Sequence, residues 1–203
     1  MERLITNRKK SEFGQTQVKY LGHVISRKGV EMDEDKIKAI IDWERSRTVK
    51  SLRGFLGLTG NYRRFVRDYG KIAKPLTELL KKGGFSWSTN AEAAWKTFKE
   101  AMTTAPVLTL PDFGRPFHIE CDASGRGVGA VLMQDKKPIA YFSKALSEGK
   151  LSKSIYEKEL MALVLAIQHW RPYLVGQKFI VHTDQKSLRH LLEQRITTQS
   201  QQD

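Results

Sequence analysis

Three carboxylates in the C-terminal half of this 203-residue chain stand where core elements end. Asp122 follows F-H-I-E-C, Glu159 sits in Y-E-K-E-L, and Asp184 follows K-F-I-V-H-T. Each also has a plain structural reading. Asp is common in turns, helix starts favour acids, and Asp184 can cap a helix beginning at Gln185. Brought together at the edge of one sheet, however, the three would repel one another unless cations lay between them. Hard oxygen donors suit Mg²⁺ or Mn²⁺. Two such ions held close together activate a water and stabilise the leaving oxygen in phosphodiester cleavage. Nothing else in the chain pairs a nucleophile with a base. Cys121 alternates onto the face opposite Asp122 and reads as core. His118 and His182 read as satisfied strand residues, and Ser124 and Ser187 have no base beside them in the sequence.

The elements that must position these acids are legible from periodicity. Phe117, Ile119 and Cys121 alternate with His118, Glu120 and Asp122, as in a strand with one buried face. Ala123 to Gly127 supplies a glycine turn. Val128 to Gln134 is nearly all apolar and suits a strand covered on both sides. A turn at Asp135-Lys136-Lys137 leads to a third strand, Pro138 to Ser143, and a polar loop spans Ser147 to Ser154. A helix runs from Ser154 to about Arg171, with Ser154 and Glu157 matching a capping box. At 100° per residue, Tyr156, Leu160, Leu163, Ala166, Ile167 and Trp170 form one apolar stripe. Glu159 falls inside that stripe and Glu157 on the polar side. Burying an ionised carboxylate alone costs several kcal/mol, so Glu159 needs a partner and Glu157 does not. Lys178 to Asp184 reads as a fourth strand.

Upstream, residues 12–31 read as a hairpin in which Gly22 interrupts the run Gln17 to Ile25. Residues 33–104 read as helical, with Asp33, Thr48 and Thr89 as caps; Thr89 and Glu92 suggest a second capping box. Ile72, Leu76, Leu79 and Leu80 predict a helix ending near Gly83. Ala105 to Pro116 holds three of the six prolines and reads as a linker. These divisions predict three regions: 1–32, 33–104 and 105–203.

Composition bounds the function classes. An apolar fraction of 40% argues for a folded protein, and a formal charge of +13 favours a polyanionic partner, nucleic acid ahead of a membrane surface. Between Arg45 and Lys74 there are nine basic residues and one acid, Asp68. Arg53, Arg63, Arg64, Arg67 and Lys71 are the candidate nucleic-acid-binding residues, interleaved with aromatics in N-Y-R-R-F-V-R-D. The longest strictly apolar run, Leu160 to Ile167, is eight residues and cannot span a bilayer. A single cysteine and a polar N-terminus predict an intracellular location, cytoplasmic or nuclear.

E-C-D-A-S-G-R-G-V-G-A-V-L-M-Q, Y-E-K-E-L-M-A-L-V-L-A-I-Q-H-W-R-P-Y-L and V-H-T-D-Q-K-S-L closely resemble the ribonuclease H domain of Pol polyproteins, gypsy-class LTR retrotransposons above all. V-K-Y-L-G-H-V-I-S resembles the palm-end hairpin of their reverse transcriptases, and S-L-R-G-F-L-G-L-T-G-N-Y-R-R-F and I-A-K-P-L-T-E-L-L their thumb and connecting helices. The resemblance runs in consecutive blocks over residues 12–200. It implies an α/β fold: a ribonuclease H-like mixed sheet of three antiparallel strands and one parallel strand, preceded by a small helical region and an N-terminal β-hairpin. It implies that Asp122, Glu159 and Asp184 are catalytic metal ligands for Mg²⁺ or Mn²⁺, and that the substrate is RNA in an RNA–DNA hybrid, held by shape and backbone contacts. The rest of a Pol polyprotein is an implied partner.

The sequence departs from the family pattern in places. It has no Asp-Asp pair of the polymerase site, so polymerisation by this segment alone is not expected. The family's fifth strand and fourth carboxylate would lie beyond residue 203, and the chain reads as truncated there. Asn61 replaces a usual aromatic and Glu44-Arg45 a usual proline. Two further readings therefore stand beside a metal-dependent ribonuclease H: a catalytically inactive nucleic-acid-binding remnant, and a protein-interaction scaffold.

Overall fold

Leu21 and Gly22 both have positive φ, 49° and 80°, the requirement of a tight two-residue hairpin turn. They split the expected first strand in two. A computed structural model of the chain describes residues 14–81, 83 and 85–183. In it, residues 17–32 form a three-stranded antiparallel meander, β1 (Gln17–Tyr20), β2 (His23–Ser26) and β3 (Gly29–Met32), where the sequence suggested a single hairpin. The reason is that Gly22 does not interrupt a strand but completes a reversal.

Four helices follow: α1 (Glu34–Ile41), α2 (Val49–Gly60), α3 (Tyr69–Glu78) and α4 (Thr89–Thr103), with a 3-10 turn at Arg63–Phe65. Asp33 caps α1 through the Asp35 amide, and Thr48 caps α2 through the Ser51 amide. The cap of α4 is Ser88, one residue earlier than expected; its hydroxyl accepts from the Ala91 amide. α3 ends at Glu78, before the predicted stop. Leu52 and Phe55 of α2, Leu76 of α3, and Phe98 and Met102 of α4 are fully buried together. Each such side chain contributes about 1.5–3 kcal/mol of transfer free energy.

Leu108 lies in the proline-rich stretch yet is fully buried. Its amide and carbonyl both bond to Val30, each at 2.8 Å, and the next amide, Thr109, donates to the Pro138 carbonyl at 2.8 Å. That stretch is thus pinned to both sheets.

The second sheet has the order β6-β5-β4-β7. β4 (Phe117–Ser124), β5 (Gly127–Gln134) and β6 (Lys137–Ala145) are antiparallel, and β7 (Phe179–His182) is parallel to β4. The expected three-plus-one mixed sheet is the one observed. The β5–β6 turn is made by Asp135 and Lys136, both with positive φ and neither a glycine. All eight residues of β5 are buried, as a strand covered on both faces requires. One cover is α6 (Ile155–His169), whose Ala166, with Trp170 just beyond, packs on Phe117, Ile119 and Leu132. The polar loop before it contains a short helix, α5 (Glu148–Leu151). Beyond Trp170 the chain makes another turn, α7 (Arg171–Leu174). The other cover comes from upstream: the 3-10 turn and the start of α3 lie against β6 and β5.

Candidate metal centre

Ser154 and Glu157 make the predicted capping box at the start of α6. Glu157 also pairs with Lys153 at 3.0 Å. These bonds, the Lys153 contact foremost, hold its carboxyl down at about 2. Its charge is used locally. Glu159, two residues on, is only 4% exposed. Its Oε1 accepts the Ala123 amide at 3.0 Å. That amide is the first beyond Asp122, on the edge of β4 past the point where pairing with β7 stops at Glu120 and His182. The wheel placed Glu159 inward and Glu157 outward, and that is how the two side chains stand.

Asp122 is on the opposite face from α6, with its side chain 66% exposed. Register puts it beside Gly129, and Gly129 beside Ser143. The two carboxylates therefore flank a single peptide unit at the carboxyl end of β4. Asp184 follows β7 by two residues and lies outside the described residues. Among the described residues no group of three or more His, Cys, Asp and Glu is arranged to hold a metal ion. Asp122 and Glu159 are both hard oxygen donors; Asp122 is open to solvent, and Glu159 is aligned by a backbone amide.

A cleft of about 410 Å³ opens here, lined by Arg67, Asp68, Glu120, Asp122, His182 and Thr183 among others. His182, at its border, pairs with His118, with Nε2 and Nδ1 2.8 Å apart and the rings stacked. One imidazole donates to the other, so one nitrogen of each ring is engaged in a strand-to-strand pair. Cys121 points the other way, towards α6. Burial, helped by the Glu159 charge, pushes its thiol up to about 12, so it has no thiolate character near neutrality.

The basic residues divide. Arg67 is exposed and lines the cleft beside Asp122. Arg63 and Arg64 line a neighbouring hollow with Tyr69, Tyr141 and His169. Arg64 also reaches the Ile139 carbonyl at 3.5 Å. Arg53 stands exposed on α2 and lines neither. Lys71 is turned inward, 28% exposed, 2.9 Å from Asp68 and 3.9 Å from Asp122. Sequence reasoning missed Asp68 as part of this rim. Its only mark was being the lone acid in a basic stretch.

Residues 87–181 match the RNase H-like domain found in reverse transcriptase. The chain is 39% identical over 184 residues to the retrovirus-related Pol polyprotein from transposon 297 of Drosophila melanogaster, covering 90% of this chain and 17% of that protein. It is 55% identical over 113 residues to an uncharacterized mitochondrial protein of Arabidopsis thaliana, covering 55% of this chain and 72% of that one. A foamy viral protease-reverse transcriptase in complex with an RNA/DNA hybrid superposes with a TM-score of 0.80 at 25% identity, over 95% of this chain and 28% of that one. The chain thus spans less than a third of the polyprotein and of the viral chain it matches.

Proposed function

Because this chain belongs to the retrovirus-related Pol polyproteins, in the segment that carries their RNase H-like reverse-transcriptase domain, we propose that it hydrolyses the RNA strand of an RNA–DNA hybrid, endonucleolytically and with divalent metal, as a gypsy-class element's enzyme would. The observation that carries the reading is the Glu159–Ala123 bond, which sets a buried carboxylate one peptide from Asp122. Asp122 and Glu159 would hold the metal, with Asp184 as the third ligand. Mg²⁺ or Mn²⁺ bound there would supply an activated water and a charge for the leaving oxygen.

The chain's own residues do the rest. The α6 capping box fixes the start of the helix and so the height of Glu159 along β4. Arg67, at the cleft wall, offers a guanidinium to a backbone phosphate. The foamy viral relative is seen with an RNA/DNA hybrid, which supports the same substrate class here. No helix among the described residues is long and apolar enough to cross a membrane.

The test is cleavage of a labelled hybrid by the 203-residue chain with and without Mg²⁺, against Asp122→Asn. Metal-dependent cutting that the substitution abolishes is the expected result. Salt-sensitive binding with no cutting at any metal concentration would make the chain an inactive nucleic-acid-binding remnant instead.

A further inference from the structure

Resting on the metal-dependent reading, we infer that Lys71 is a positioning residue for Asp122: its ammonium is the resident counter-charge of that carboxylate, and a divalent cation displaces it towards Asp68. Lys71 Nζ lies 3.9 Å from Asp122 Oδ2 and 2.9 Å from Asp68 Oδ1. The two acids bracket one cation and come from elements far apart in the chain.

The approach is built into the backbone. The Gly70 amide donates to Ser143 Oγ at 2.7 Å. A Cβ on Gly70 would stand 3.2–3.3 Å from backbone atoms of Ser143, Lys144 and Ala145. On β5, a Cβ at Gly127 would meet the Lys71 stem at 3.2 Å, and one at Gly129 would meet Asp68 Oδ1 at 3.4 Å. Bare positions on both sides thus let residues 68–71 lie on the sheet next to Asp122. Asp68 is the N-cap residue of α3 yet makes no capping bond with its side chain; its carboxylate serves Lys71 instead.

The charges explain the function. A carboxylate waiting for a dication beside Glu120 gains from a nearby ammonium that holds it in place. When a dication arrives, the ammonium is repelled from Asp122, and its ion pair with Asp68, at 2.9 Å, keeps it on the rim. The displacement weakens cation binding, so Lys71 tunes how much metal the centre needs. It also makes the centre depend on the segment upstream of the domain.

The test is Mn²⁺ binding to the 203-residue chain, read from the electron spin resonance signal of free Mn²⁺. Wild type is compared with Lys71→Met, Lys71→Arg, Asp122→Asn and the Lys71→Met/Asp122→Asn double variant. Lys71→Met is expected to bind Mn²⁺ about five- to tenfold more tightly at low salt, the size expected of one unit charge at ~4 Å in water-like surroundings, as suits the exposed Asp122. Lys71→Arg restores wild-type affinity because it keeps the charge. The gain shrinks at about 0.5 M salt, where screening is strong, and disappears on the Asp122→Asn background. If Lys71→Met matches wild type or binds more weakly while Asp122→Asn loses affinity, the role of Lys71 is overturned and the metal centre stands. If the gain survives in the double variant, Lys71 acts elsewhere and the inference also fails. If Asp122→Asn binds Mn²⁺ like wild type, the metal centre and the inference fall together.

Discussion

The Glu159 carboxylate accepts the amide hydrogen of Ala123 at 3.0 Å, one peptide bond beyond Asp122. A helix side chain is thereby locked to a strand edge. Glu159→Gln keeps an acceptor for that amide, whereas Glu159→Ala removes it. The alanine variant is expected to lose about 1–3 kcal/mol of stability in urea unfolding, and the glutamine variant less than about 1 kcal/mol. Both should lose hybrid cleavage. Cleavage by Glu159→Gln at the wild-type rate would mean that the charge is not used.

Gly70→Ala puts a Cβ 3.2–3.3 Å from three β6 backbone atoms, so tight that α3 or β6 must give by a few tenths of an ångström. Overpacking of this kind costs about 1–3 kcal/mol. The thermal midpoint should fall accordingly, and the Gly70–Ser143 bond should lengthen. A midpoint equal to wild type would show that α3 does not sit this close to the sheet.

His169 packs against Phe142, with ring centroids 4.9 Å apart. Burial first, then the Arg63 charge, holds its imidazole below the ordinary value of 6.5. The unfolded chain therefore takes up the proton first on acidification. This contribution to stability is complete above about pH 6.5 and is lost as pH falls through the folded value. Denaturant midpoints at pH 7.5 and 5.5 should differ more for wild type than for His169→Gln. Equal differences would remove His169 from the account.

Cys121, pushed up to about 12 by burial and by Glu159, should react with iodoacetamide at pH 8.5 far more slowly in the native chain than in urea, since the thiolate is the nucleophile. Glu159→Gln removes part of the cause and should speed the native reaction. Equal native and unfolded rates would place the thiol in water.

Hybrid binding should weaken steeply with salt through counterion release. Arg67→Gln and Arg63→Gln should each reduce the slope of log K against log salt by about 1 if each side chain meets one phosphate. An unchanged slope would take that residue off the duplex.

What could be read in advance followed from local periodicity. The β4–β5 pair, the α6 capping box and the inward turn of Glu159 all express patterns within a dozen or so residues. The split of β1 from β2 escaped notice because Leu21, an ordinary side chain, carries positive φ without announcing it. Ser88 caps α4 in place of its neighbour Thr89, and the sequence does not separate them because the two residues have the same capping chemistry. The contacts of Asp68 and Lys71 with the sheet were not legible at all. They depend on how closely two distant backbones approach, and the glycines that permit it look like ordinary turn formers until both surfaces are in view.

Leu108 is tied on both its amide and its carbonyl to Val30, and Thr109 to Pro138. The crossing between the two sheets therefore behaves as a taut stay and not as a leash. Its span is set by consecutive residues with no slack between them. A single extra residue there would have to bulge outwards or tear one set of bonds free, so this short passage tolerates exchange of side chains far better than any change of length.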